Sequence, residues 1–154
     1  MKGIIFLFLI GLSLTYQFDP NGALEYAKEY CDKPYPIYEK IDKENISSGT
    51  FASQCIHKGG KCSVMVCFEW KDENFFIPFG ITLKRCLTRH GWKSSTTPPK
   101  KFLAGYPIFL KTTYDVAIFD HFEGDSVYGY AHDEGEYYCN EYLGEKDDFY
   151  YFYY

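Results

Sequence analysis

At 154 residues the chain has room for one domain after any leader, and too little for two. A formal charge of −5, with the 16 Lys and Arg scattered rather than gathered in a stripe, argues against a nucleic-acid partner. Aromatic residues make up 21% of the sequence, far above an average domain, so rings must both fill a core and reach the surface, where tyrosines suit peptide or glycan clefts.

Met1 and Lys2 precede a nearly unbroken apolar stretch from Gly3 to Leu14, which Asp19 and Pro20 soon end. This predicts a signal peptide over residues 1–17, cleaved between Thr15 and Gln17, and a mature domain over 18–154. The apolar run is shorter than the ~20 residues that span a bilayer, and no later segment spans one. The expected location is therefore secreted or extracellular, or the lumen of the secretory or vacuolar system. Cys31, Cys55, Cys62, Cys67, Cys86 and Cys139 all follow the leader, and an even count in an exported chain predicts that all six are paired, with the connectivity left open. Cys62 and Cys67 lack a second closely spaced Cys/His pair, so no metal and no cofactor is expected. Asn45-Ile46-Ser47 is a glycosylation sequon.

Asp19 as N-cap and Pro20 at the first helical position open a helix with Ala23, Leu24, Ala27, Tyr30 and Cys31 on one face, ending before Pro34. After a loop over Tyr35 to Lys43, a second helix starts near Ser47 or Ser48. It carries Phe51, Ala52, Cys55 and Ile56 inward and stops at Gly59-Gly60. Lys61 to Trp70 reads as extended, Lys71 to Asn74 as a polar turn. A third helix spans Phe79 to His90, with Phe79, Leu83, Cys86 and Leu87 inward and Gly91 just past its end. Strands follow at Tyr106 to Leu110, Asp115 to Phe119, Ser126 to Ala131 and Phe149 to Tyr154, with Glu123-Gly124-Asp125 as a hairpin turn and Glu145 to Asp148 as a solvated turn. Helices first and strands second predict an α+β domain, with helices packed on a small antiparallel sheet.

SSGTFASQCIHKGG resembles the segment D-C-x-N-F-x-S-Q with trailing glycines of secreted amidase domains, relatives of the NlpC-like cell-wall peptidases. The resemblance continues through GWKSS, FLAGYPIFL and YDVAIFDHFEGDSVYGYAHD, where that family has a histidine opening a V-x-I strand, a hairpin and an A-H-T strand. It implies a papain-like fold with a cleft at the start of the second helix, where a cysteine thiolate is held by the helix dipole and a histidine. Carried over, the nucleophile position falls on Ser48 and the base position on Asp115, with Phe51, Ser53, Gln54 and His132 agreeing with the pattern.

A serine hydroxyl needs a base within reach, and an ordinary carboxylate is too weak to deprotonate it. The resemblance therefore implies a non-hydrolytic relative that keeps its cleft for a peptide or a cell-wall glycopeptide. Two alternatives stay open. One is an active hydrolase in which His132 faces Ser48 and Asp115 orients it; the other is a disulfide-stapled structural or adhesive extracellular module. Ser48 also suits a helix N-cap. His57 and His90 in helix last turns suit the C-terminal dipole as cations, and His121 lies near a hairpin. The acidic turn of Asp133, Glu134 and Glu136 offers a carboxylate pair for glycoside hydrolysis, though none is placed across a cleft from it. Oligomeric state is not legible.

Overall fold

Asp19 opens the first helix as its side chain dictates, accepting the Asn21 N–H at 3.1 Å with Pro20 at the first turn. The computed structural model describes residues 18–33, 48–59, 77, 79–133 and 135–154. The expected leader, the Asn45 sequon, Cys62, Cys67, Glu134 and the 61–70 segment lie outside the described residues. Three α-helices occur among the described residues: α1 (Pro20–Tyr30), α2 (Ser48–Gly59) and α3 (Gly80–Arg89).

Helix α2 is the centre of the helical layer, buried from Ser48 to Ile56 and packed against α1, α3 and two strands. Its sequence explains this position. Small residues at Gly49, Ala52 and Ser53 let neighbours approach, while Phe51, Cys55 and Ile56 fill the core. Helix α3 ends as its sequence predicts, with Gly91 at φ 83° and the Trp92 N–H bonded back to the Leu87 carbonyl at 3.1 Å. Phe79, expected inward, is instead 61% exposed. It is the N-cap of α3 with extended backbone, so its side chain points away from the face carrying Leu83, Cys86 and Leu87.

The strands β1 (Lys93–Ser95), β2 (Pro107–Leu110), β3 (Val116–Glu123), β4 (Ser126–Asp133), β5 (Glu136–Glu145) and β6 (Phe149–Tyr153) form one antiparallel sheet in the order β1-β6-β2-β3-β4-β5. The described residues are thus α+β, with three α-helices beside a six-stranded sheet. The β3–β4 hairpin turns at Gly124, φ 59°, where a left-handed residue is needed. Strand β3 runs past the expected end at Phe119 because a bulge between Phe119 and His121 absorbs one residue and pairing resumes. The acidic run near the C-terminus forms a short 3₁₀ turn, Lys146–Asp148, between β5 and β6.

Both faces of the sheet are apolar, which accounts for much of the aromatic content. Val116, Ile118, Tyr130, Phe109 and Phe152 face the helices, whereas Ala117, Phe119, Val127, Ala131, Phe149 and Tyr151 form a second cluster on the opposite face. Phe102 and Tyr106 from the β1–β2 connection stack at 5.5 Å, and Phe102 packs against Phe119 and Tyr151 to cover this second cluster.

Candidate functional site

The start of α2 meets the start of β3. Ser48 Oγ donates to Asp115 Oδ1 at 3.2 Å and accepts the Val116 N–H at 3.0 Å. Asp115 Oδ2 accepts a further hydrogen bond from Thr113 Oγ1, and the Asp115 N–H reaches that same oxygen at 3.3 Å. Ser48 is therefore not an N-cap in the expected sense, since its side chain is spent on another strand rather than on its own first turn. That turn carries no acidic residue. Asp115 places a carboxylate there from across the chain, where the positive end of the helix dipole favours it. Only 1% of Ser48 reaches solvent.

Two features of the backbone hold Asp115 in place. The Leu110–Asp115 turn closes through the Leu110 N–H to the Asp115 carbonyl at 2.8 Å and leaves Tyr114 left-handed, at φ 63°. Gly80, the first residue of α3, lies so close to the Tyr114 carbonyl that an added Cβ would collide with it. Lys84, one turn further on, sits between the Tyr114 and Tyr150 rings at 4.5 and 4.0 Å, and burial lowers its pKa.

His132 lies on β4, next to β3, but its imidazole is committed elsewhere. Its Nε2 donates to the carbonyls of Tyr30 and Cys31 at 2.9 and 3.1 Å, satisfying acceptors left over at the end of α1. Because a carbonyl only accepts, Nε2 carries the proton. The ring stacks on Phe51 at 4.0 Å and meets Tyr137 edge-on at 4.6 Å, and 6% of the residue is exposed. Ser48 and Asp115 are thus brought together, while the Ser48 hydroxyl's two hydrogen bonds among the described residues go to Asp115 and Val116.

The same end of α1 is tied to β5 by the Cys31–Cys139 disulfide, and Cys86 is also disulfide-bonded. Cys55 departs from the expectation that all six cysteines pair. It is a free thiol, fully buried on the core face of α2, and burial pushes its pKa well up, opposite to what a nucleophile needs. At His57 too the expectation fails. Burial, and after it the charge of Lys58, lowers its pKa and so disfavours the cation expected at the end of α2. His121 is ordered by Asp120 at 2.7 Å and Glu123 at 3.5 Å. Glu136 accepts a hydrogen bond from Tyr138 at 2.7 Å, which raises the tyrosine's pKa to about 12.

A cleft of about 150 Å³ opens beside the Ser48–Asp115 pair, on the sheet face turned away from the helices. Ala117 and Ala131 form its floor with Leu110, Leu143 and Phe149, and Asp115, Asp133, Tyr138 and Tyr142 line the rest. Ser48 contributes buried wall rather than exposed surface. Sequence reasoning missed Thr113, Gly80 and the β5 tyrosines. The Thr-x-Asp spacing ahead of a strand was a readable signal for the first. The tyrosines escaped because the edge strand β5 is bulged against β4 and lacks a clean alternation. Among the described residues no group of three metal-ligating side chains comes together, and no helix is long and apolar enough to cross a membrane.

Residues 17–81 match the family model described as "Putative amidase domain". That match supports an amidase-like domain; it takes in α1, α2 with Ser48 and the beginning of α3, and ends before Asp115 and His132. No curated protein and no solved structure matches the chain.

Proposed function

We propose that this chain is a relative of the amidase family that no longer hydrolyses, and that the cleft beside Ser48 binds a peptide or cell-wall fragment. The observation that carries this reading is the hydrogen bond from Ser48 Oγ to the Asp115 carboxylate. The two positions that the family resemblance gives to nucleophile and base are in contact, yet they hold a buried hydroxyl already bonded to a carboxylate and a backbone N–H. Acyl transfer needs a nucleophile that reaches the substrate and a base that takes its proton. The commitment of His132 Nε2 to α1 supports the same conclusion. Helices on an antiparallel sheet, with the second helix starting at the third strand, support a papain-like, NlpC-like arrangement. An exported protein with a leader over 1–17 and a sequon at Asn45 fits this role outside the cell.

The test is an amide-hydrolysis assay on cell-wall peptides, paired with a binding titration on the same peptides. Binding without turnover is the expected result. Turnover that disappears in both Ser48→Ala and His132→Ala would overturn the proposal in favour of a Ser-His-Asp hydrolase. Neither binding nor turnover would leave the structural-module reading.

A further inference from the structure

The 16 cations form no stripe along the sequence, yet the fold sorts charge by sheet edge. Residues 79–114 hold seven Lys and Arg and no Asp or Glu, whereas residues 115–154 hold eleven Asp and Glu and a single Lys, Lys146. The first block supplies α3, β1 and β2; the second supplies β3 to β6. In the order β1-β6-β2-β3-β4-β5 the two outermost strands therefore come from opposite blocks. At one edge, Arg85 and Arg89 lie one turn apart on α3, which runs into β1, where Lys93 is the first residue; all three are exposed. At the other, Glu136, Glu141 and Glu145 are exposed on β5. Among the described residues none of these six has an ion pair.

Each edge also exposes a large ring. Tyr142 on β5 is 52% exposed, and Tyr154, one residue past the Tyr153 that pairs with Lys93, is 51% exposed. Among the described strands β1 pairs with β6 alone and β5 with β4 alone, so each keeps one side with no strand against it. Five strand spacings of about 4.8 Å put the edges about 24 Å apart, three times the ~8 Å over which charges are felt at physiological salt. Neither edge therefore cancels the charge of the other within one molecule.

We propose that the partner of each edge is a second copy of this chain, the β1 and α3 edge of one molecule docking on the β5 edge of the next. Like edges repel, so a two-fold dimer through β1 or through β5 is disfavoured, while unlike edges attract. Contact of this head-to-tail kind joins two different surfaces, so it extends into chains of copies unless the rotation between neighbours closes a ring. The net charge of −5 opposes indiscriminate clustering and leaves the opposed edges as the favourable approach.

Sedimentation velocity of the full chain, from about 10 μM to about 1 mM in about 20 mM and about 0.5 M salt, tests this. Wild type should associate at low salt, with affinity at least about tenfold weaker at high salt. Concentration-dependent amide NMR shifts should fall on Arg85 to Ser95 and on Glu136 to Glu145. Arg85→Glu with Arg89→Glu and Lys93→Glu makes both edges acidic, and Glu136→Lys with Glu141→Lys makes both basic. Each variant alone should stay monomeric, and a one-to-one mixture of the two should associate again. All five positions are exposed, so the substitutions spare the core, and the wild-type salt series needs no variant. Wild type that is monomeric throughout, association indifferent to salt, variants that self-associate as wild type does, or a mixture that stays apart would each overturn the proposal. Shifts at Lys93 on adding heparin to a monomeric wild type would overturn it too, assigning the basic edge to a sulfated glycan.

Discussion

Replacing Ser48 by alanine tests the claim that this residue is a clip between α2 and β3 rather than a nucleophile. The substitution removes the acceptor of the Val116 N–H, in a residue only 1% exposed, so that no water takes its place. An unsatisfied buried N–H costs about 1 to 3 kcal/mol. The lost hydrogen bond to Asp115 costs less, about 0.5 to 1.5 kcal/mol, because that carboxylate is partly exposed and keeps Thr113. Together the loss is about 1.5 to 4.5 kcal/mol, enough to lower the melting temperature of a chain this size by about 3 to 18 °C. Urea unfolding of wild type, Ser48→Ala, Asp115→Ala and the double variant measures it. The cycle should return a coupling of about 0.5 to 1.5 kcal/mol with an unchanged denaturant slope. A Ser48→Ala protein within 0.5 kcal/mol of wild type, or strictly additive variants, would refute the clip.

Cys31 and Cys139 close a loop with a sequence separation of 108, so Cys31→Ser with Cys139→Ser should lower stability by about 2 to 5 kcal/mol in denaturant titration. Cys55 should resist alkylation in the folded protein and react only after unfolding, a contrast that mass spectrometry with and without denaturant reads directly. The pKa of His121 is raised from 6.5, chiefly by its hydrogen bond to Asp120. Any stability it adds is therefore fully present below pH 6.5 and fades as pH rises through the raised value; Asp120→Asn should bring its NMR titration back toward 6.5.

Much of the scaffold is written locally. The Asp19-Pro20 start of α1, the Gly91 stop of α3 and the Gly124 hairpin each depend on a few adjacent residues whose backbone preferences are the same in any context, and each forms where those residues place it. The run Val116, Ala117, Ile118 and Phe119 likewise reads as a strand, while the burial of both its faces comes from the tertiary packing. Segments without such local marks were not legible. The three-residue β1 gains its structure from pairing with β6, and β5 from pairing with β4 through bulges. Phe79 carries the right hydrophobicity for a core, but one residue of difference in where α3 begins turns it outward.

The candidate site divides in the same way. The residue types at Ser48, Asp115 and His132 are properties of the sequence, because chemistry resides in the side chain. Which group each side chain meets is not. Ser48 reaches Asp115 because α2 packs against β3 and Gly80 admits the Tyr114 carbonyl; His132 is drawn to the carbonyls of Tyr30 and Cys31 because α1 ends over β4. Cys55, one of six similar candidates in the sequence, stays a free thiol because the core closes around it. Hydrogen bonds and disulfides select among partners by distance, and those distances, set by how helices seat on a sheet, are decided by the tertiary structure.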